Sequence, residues 1–294
     1  MLEWFPYALK SARQLNATRN EREVRGCLVR LDRGVACLQS WPEFGDPSLE
    51  EVLADFRGPC RLAISRQARV CCEADAAARR AGVHLLEGRI VPESHYSLPW
   101  GASSVPAGFR AVKIKAGPDG EALQSSLRKL PARIRIRLDF NETLDTTQFR
   151  TLWQGLAPFH SRIDFVEDPT PFREDDWRAL EAELGCRLAV DRWAEEAPFL
   201  RVWKPARQSR PEAGQIVVTS NMDHPVGQVY AAYCAATLPP EVSVVGGGLV
   251  THHLFDRGDP FIAAMGPATA DFPRVPGTGL GFDPLLESLP WRAC

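Results

Sequence analysis

The alternation of apolar and polar positions changes texture near Pro92. Before it, Arg25 to Leu31 and Val35 to Trp41 alternate with a period of two and are joined by Asp32-Arg33-Gly34, which predicts a β-hairpin. Ser48 precedes an apolar stripe of Leu49, Val52, Leu53 and Phe56, with Glu50 and Glu51 in the first turn. That is the start of a helix, stopped at Gly58-Pro59. Ile64 to Arg80 is alanine-rich without Gly or Pro, and Gly82 is its expected C-cap. Residues 1–95 are therefore expected to form an antiparallel α+β lobe.

Past Pro92 strand and helix patterns take turns. Strands are predicted at His95 to Trp100, Phe109 to Ala116, Arg133 to Asp139, Ile163 to Glu167, Arg187 to Asp191, Arg201 to Lys204, Gln215 to Ser220 and Glu241 to Val245. Helices are predicted at Leu123 to Leu130, Thr146 to Phe159, Glu174 to Leu184 (with Trp177 and Leu180 turned inward) and Val226 to Leu238. Charged residues end most of these strands. An open doubly wound sheet would gather them at one switch point, so the pattern predicts a (β/α) barrel over residues 96–250. The crossovers after Asp191 and Lys204 are close to the shortest a βαβ connection allows, about 10–12 residues, and their helices are expected to be one turn or absent. Gly246-Gly-Gly248 is read as a tight turn after the last strand.

Residues 251–294 form a Pro/Gly-rich tail expected to pack back on the N-terminal lobe. In it, Gly277-Thr-Gly-Leu-Gly-Phe282 looks like a dinucleotide fingerprint, but it follows Pro276 rather than a strand and no helix is predicted after it, so it is read as loop. His252-His253 has no acid at metal-ligand spacing and is given a structural role.

Composition narrows the class. A 294-residue chain with 45% hydrophobic and 24% charged residues fits a barrel-sized domain with a small companion. A formal net charge of −2 gives no electrostatic reason to expect nucleic acid or an anionic membrane surface. No apolar run approaches the ~20 residues of a membrane span. The N-terminus lacks a basic segment followed by an apolar core, so the expected location is the cytoplasm. The eight cysteines (Cys27, Cys37, Cys60, Cys71, Cys72, Cys186, Cys234 and Cys294) include no CxxC pair and are expected as reduced thiols.

Strand parity supplies the chemistry. From Arg133 to Asp139 the even positions are Ile, Ile and Leu, which must meet the surrounding helices. Asp139 therefore points into the barrel mouth with Arg137 one layer below, and the same reasoning turns Glu167 and Asp191 inward. Three convergent carboxylates repel strongly in a low dielectric, and a divalent cation turns them into an oxygen-ligand site; Mg²⁺ is the expected ion and Mn²⁺ its substitute. Lys113 and Lys115 share one face of their strand, and Lys204 stands nearly opposite. A metal near Lys115 and Arg137 is expected to depress that lysine's pKa and make it a base near neutral pH. The favoured reaction is proton abstraction beside a carboxylate on a small-molecule substrate, with the metal holding the enediolate.

The set Lys113-x-Lys115, Asp139-x-Asn141, Glu167-Asp168-Pro169, Asp191 and Lys204-Pro205 resembles the enolase superfamily, and within it the o-succinylbenzoate synthases of the muconate-lactonising subgroup. The resemblance spans essentially the whole chain and implies a (βα)7β TIM-like barrel under an N-terminal α+β capping domain. It implies Mg²⁺ ligation by Asp139, Glu167 and Asp191. It implies Lys115 as base and then acid, Lys204 as stabiliser of the enediolate, and Lys113 at the substrate carboxylate. Arg137, Asn141, Thr219 and Ser220 follow as substrate-binding or supporting residues. The implied reaction is syn dehydration of 2-succinyl-6-hydroxy-2,4-cyclohexadiene-1-carboxylate to 2-succinylbenzoate in menaquinone synthesis. Asp191 is followed by Arg192 where the family usually has another acid.

Two other readings stand beside it. An N-acylamino acid racemase or dipeptide epimerase of the same superfamily begins with the same proton transfer. A dipeptide epimerase usually carries Asp-x-Asp at strand eight, where this chain has Ser243-Val-Val245-Gly. A non-catalytic binding protein on a decayed barrel is expected to have lost at least one of the five charged positions, and all are present. A lid over the mouth is expected from Leu9 to Asn20, and the oligomeric state is open.

Overall fold

The structure, a computed structural model, describes residues 1–11, 22–98, 102–191 and 198–293. Its first sheet is antiparallel throughout and holds β1 (Leu2–Lys10), β2 (Glu23–Leu31), β3 (Gly34–Gln39) and, from the far end of the chain, β12 (Arg292–Ala293), in the order β12-β1-β2-β3. The expected hairpin is β2 and β3, joined through Asp32 at φ 48° and Arg33 at φ 76°. Two positive φ angles are what a two-residue turn needs to match strand twist. The alternation pattern does not reveal β1, which pairs with β2 from Leu2–Leu31 to Lys10–Glu23. Pro6 argues against a strand there. It is tolerated because the other edge of β1 meets a partner only at Glu3 and Trp4, leaving no ladder to interrupt. Leu9 is buried in this strand and is not part of a lid; residues 12–20 of the expected lid lie outside the described residues.

Helix α1 (Leu49–Arg57) begins with a full capping box between Ser48 and Glu51, and buries Val52, Leu53 and Phe56. Helix α2 (Ala63–Ala81) ends at Gly82, whose φ of 68° only glycine adopts without strain.

The second sheet has eight parallel strands in sequential order: β4 (Tyr96–Leu98), β5 (Ala111–Lys115), β6 (Arg135–Asp139), β7 (Ile163–Glu167), β8 (Leu188–Val190), β9 (Leu200–Trp203), β10 (Gly214–Thr219) and β11 (Val242–Gly248). Helices α3 (Gly120–Arg128), α4 (Thr146–Gly155), α5 (Glu174–Leu184) and α6 (Pro225–Ala236) lie in the connections. A parallel bridge between Ser94 and Gly247, and a 2.7 Å hydrogen bond from the His95 N–H to the Gly247 carbonyl, join the first strand region to the last and close the ring. Ile136 and Leu138 pack outward with Leu123, Phe149 and Trp177, as parity requires. Phe165, Ala189, Leu200, Val202 and Val217 form a separate cluster, on the parity opposite to the outward residues. Between β9 and β10 the described chain makes only turns, so the crossover after Lys204 carries no helix; residues 192–197 lie outside the described residues.

Gly246, Gly247 and Gly248 are not a turn after the last strand. They are the end of β11 itself. A Cβ on Gly246 would stand 2.8 Å from the Arg137 guanidinium carbon, and one on Gly248 would stand 2.8 Å from His95 Nε2. Glycine is needed because large polar side chains from β6 and from His95, just before β4, fill the barrel interior against this strand.

The tail folds over the cap. It contains α7 (Pro260–Ala264), α8 (Asp283–Ser288) and β12, the last paired with β1. The Gly277–Phe282 segment is a loop, but a short helix, α8, does open directly after it, contrary to the expectation from sequence. It is no phosphate cradle, because its amides are already engaged. Leu280 donates to Asp75 Oδ1 at 2.6 Å and Thr278 to Asp283 Oδ2 at 2.8 Å. Asp75 is fully buried on α2 and also accepts from the Val35 N–H, while Arg79 bridges it to Asp283. His253 stacks on Tyr96 with ring centroids 4.3 Å apart, and its Nε2 lies 3.2 Å from the Ser97 carbonyl, a packing role. The seven cysteines among the described residues form no disulfide. Among the described residues no helix is long and apolar enough to cross a membrane.

Candidate active site

Parallel strands place all their C-terminal ends on one rim, where barrel enzymes gather their chemistry. Lys115, Asp139, Glu167 and Thr219 are the last residues of β5, β6, β7 and β10, and Asp191 and Lys204 directly follow β8 and β9. Asp139 stands in register with Lys115 on one side and Glu167 on the other. In a ring of eight strands, β5 and β9 are four places apart, which sets Lys115 and Lys204 on opposite walls.

The charges are interleaved. Lys113 Nζ lies 2.6 Å from Glu167 Oε1 and 2.8 Å from Asp139 Oδ2. Lys115 Nζ lies 2.6 Å from Asp139 Oδ2 and donates to Asn141 Oδ1 at 3.3 Å. Asn141 Nδ2 donates to the other Asp139 oxygen, and Lys204 Nζ is paired with both oxygens of Asp191. Burial alone would raise the Asp139 carboxyl, but Lys113 and Lys115 outweigh it and hold it well below the ordinary range. Asp191 is likewise lowered against burial by Lys204 and Lys113. Glu167 goes the other way: burial and the Asp139 charge push it up to about 7. Lys113 is held above the ordinary amine range because Asp139 and Glu167 overcome the cost of its burial.

Asp168 escapes the sequence reading as a working residue, although the Glu167-Asp168-Pro169 motif contains it. It is 4% exposed, sits at φ 41°, and its Oδ1 accepts the Asp191 N–H at 3.1 Å. Burial and the nearby Asp191 and Glu167 charges push its carboxyl well above the usual range. Asn141 at φ 50°, Glu142 at φ 60° and Met222 at φ 49° also hold left-handed backbone after rim strands. Strain of this kind persists where surrounding packing fixes the backbone, and it clusters at functional rims.

Arg137 is not among the rim residues. Its guanidinium contacts His95 Nδ1, the Gly247 carbonyl and Asp164 and lies over the Phe165 ring, one layer below the carboxylates. Thr219 Oγ1 is buried without a hydrogen-bond partner, and Ser220 Oγ lies 2.8 Å from Thr251 Oγ1. The cap reaches this rim through Trp41 Nε1, which donates to the Asn221 carbonyl at 3.1 Å, and Gln39 Nε2, which donates to the Asn221 and Met222 carbonyls. Tyr7 OH orients Gln39 by donating to its Oε1 at 2.9 Å.

As the side chains stand, no three His, Cys, Asp or Glu groups among the described residues form a cage for a metal ion, because each carboxylate faces a lysine. The donor chemistry still suits a hard divalent cation. All three acids offer oxygen, and Glu167 Oε2 is buried with no hydrogen-bond partner. An orphaned carboxylate oxygen is costly unless something positive completes it.

A parallel eight-strand barrel with carboxylates and lysines facing one another on its rim, beneath an antiparallel cap, is a fold shared with solved enzymes. The muconate lactonizing enzyme of Pseudomonas fluorescens, solved with muconolactone, superposes with a TM-score of 0.77 at 16% identity, covering 96% of this chain and 95% of that one. A dipeptide epimerase from Methylococcus capsulatus, solved with Mg and a dipeptide, superposes with a TM-score of 0.71 at 19% identity over 96% and 98% of the two chains. Residues 2–78 match the family model described as O-succinylbenzoate synthase, N-terminal domain. The o-succinylbenzoate synthase of Bdellovibrio bacteriovorus is 31% identical over 325 residues, covering 99% of this chain and 97% of that protein. The chain belongs to the o-succinylbenzoate synthase family.

Proposed function

We propose that this protein is a hydro-lyase that dehydrates 2-succinyl-6-hydroxy-2,4-cyclohexadiene-1-carboxylate to 2-succinylbenzoate in menaquinone biosynthesis, in the cytoplasm. The full-length match to a named synthase carries the reading. The rim lysines and acids supply the means. Residues 1–95 act as cap, 96–250 as the barrel that holds the chemistry, and 251–294 as a tail fastened to the cap.

Asp139, Glu167 and Asp191 hold the metal, Mg²⁺ with Mn²⁺ as a substitute. When bound, that ion supplies positive charge for the substrate carboxylate whose neighbouring proton is removed. Lys115 is the base. Its side chain is 36% exposed against 15% for Lys113, so its amine reaches a bound substrate while Lys113 stays between Asp139 and Glu167. In a syn elimination the group that takes the proton is on the same face as the departing hydroxyl, so Lys115 returns the proton and water leaves. Lys204, fixed by Asp191 on the opposite wall, stabilises negative charge spreading over the substrate. Asn141 holds Lys115 and Asp139 in one arrangement, and Thr219 and Ser220 line the β10 side.

The test is the loss of the cyclohexadiene chromophore on adding protein and Mg²⁺, run beside racemisation of an N-succinyl amino acid. Dehydration is the expected activity. Absence of any Mg²⁺-dependent spectral change sinks the reading, and racemisation as the faster reaction moves the chain to the racemase branch.

A further inference from the structure

One row of paired residues crosses the N-terminal sheet from β1 to β3. Tyr7 stands opposite Gly26, and Gly26 opposite Gln39. Side chains of directly paired residues share a face, so Tyr7 and Gln39 lie on one face with an empty place between them. Tyr7 fills that place: a Cβ on Gly26 would stand 2.2 Å from its hydroxyl oxygen. The hydroxyl thereby passes over β2 and reaches Gln39 Oε1 at 2.9 Å and Cys37 Sγ at 3.1 Å. Tyr7, Cys37 and Gln39 are all buried, and none enters the chemistry just described.

The hydrogens of this group have one consistent arrangement. Gln39 Nε2 faces the carbonyls of Asn221 and Met222, each at 3.3 Å, and carbonyls only accept. The amide oxygen is therefore the atom turned to Tyr7, and the tyrosine must donate to it. With the single hydroxyl hydrogen spent, the Cys37 S–H donates to the Tyr7 oxygen. Burial and the Asp223 charge hold that thiol well above its ordinary pKa, which keeps its hydrogen in place. The sulfur accepts in turn from the backbone N–H of His224. A one-way chain of donors thus leaves the barrel at His224, runs through the cap and returns to the barrel at Asn221 and Met222. All three residues belong to the turn between β10 and α6, where Met222 holds φ 49°.

We propose that the Cys37–Tyr7–Gln39 relay is a clasp that positions the cap on the barrel by holding this turn through its main-chain carbonyls. Gln39 is the positioning residue, and Gly26 is the gap that lets Tyr7 orient it. Breaking the clasp leaves the rim lysines and acids in place but loosens the cap that closes over a bound substrate. The cost therefore falls on substrate binding rather than on the chemical step. The kinetic consequence rests on the dehydration proposed above; the clasp itself does not.

Amide hydrogen exchange is measured first, in the ligand-free protein. Tyr7→Phe removes only the oxygen and should speed exchange over residues 221–228 about fivefold or more, the scale of one lost hydrogen bond. Cys37→Ser keeps a donor and an acceptor and should exchange within about twofold of wild type, whereas Cys37→Ala has neither and should follow Tyr7→Phe. Should Cys37→Ala fail to fold, Gln39→Glu keeps the acceptor for Tyr7 but turns an oxygen toward the two carbonyls, with the same fivefold expectation. In turnover assays with Mg²⁺, Tyr7→Phe should raise KM about fivefold or more while kcat stays within about twofold of wild type. Wild-type exchange in Tyr7→Phe or Gln39→Glu, or equal loss in Cys37→Ser and Cys37→Ala, overturns the clasp. A lower kcat at unchanged KM overturns its action on the cap. Wild-type protein without dehydration activity overturns the proposed function, and the exchange results still decide the clasp.

Discussion

Asp168 holds Asp191 by its backbone: Asp168 Oδ1 accepts the Asp191 N–H at 3.1 Å across the ends of β7 and β8. A buried carboxyl at φ 41° is expensive, and the return is that the next acid along the rim starts from a fixed position. Asp168→Ala should weaken Mn²⁺ binding about 10–100-fold, the usual cost of losing an outer-shell partner of a metal ligand. Asp168→Asn keeps the acceptor and should lose far less. Isothermal titration of the two variants settles it, and equal affinity in Asp168→Ala and wild type removes the role.

Lys115→Ala should lower turnover by about a hundredfold or more, in line with removing a general base, while metal affinity stays close to wild type. The readout pairs the chromophore assay with Mn²⁺ titration. A variant that retains more than a hundredth of the rate takes the role away from Lys115.

Gly246→Ala places a methyl group 2.8 Å from the Arg137 guanidinium carbon in a filled barrel interior. Overpacking of this kind costs about 1–3 kcal/mol, to be seen as a lower urea midpoint with an unchanged slope. Stability equal to wild type means that Arg137 has room to move.

Asp223 sits in the turn after β10 and is 1% exposed, with one oxygen lacking a hydrogen-bond partner. Burial raises its pKa to about 7, against the lowering effect of the Asp223 and Asn221 backbone amides. A folded-state pKa above the unfolded value means that the native state binds the extra proton. Stability is therefore fullest below pH 4, near the unfolded pKa of an aspartate, and is lost as pH rises through about 7. Asp223→Asn should remove this slope, matching wild type near pH 4 and exceeding it by a few kcal/mol near pH 8, because each tenfold change in proton affinity is worth about 1.4 kcal/mol. Denaturant melts at the two pH values make the comparison, and a constant difference between the proteins contradicts it.

The barrel and its rim are legible in the sequence because parity is strict in short parallel strands. Once Ile136 and Leu138 must face helices, Asp139 has one direction left, and Glu167 and Asp191 follow by the same count. Strand β1 is hidden by Pro6, whose cost depends on an edge partner the local sequence does not reveal. The Gly246–Gly248 run misleads because glycine signals a turn and a close approach equally well. Only the three-dimensional position of Arg137 and His95 separates the two. Parity gives Arg137 the right face, but its reach toward His95 and Asp164 follows from side-chain packing rather than from spacing.

Asp75 takes the amides of Val35 and Leu280, and β12 lies along β1, so the N-terminal sheet borrows its closing parts from the other end of the chain. During synthesis those parts leave the ribosome long after the sheet and helix they complete. Until then Asp75 on α2 has Val35 and Arg79 at one oxygen but lacks the Leu280 amide at the other, and the sheet gains its fourth strand only once Ala293 has emerged. The N-terminal sheet is thus completed only after the whole barrel has been made.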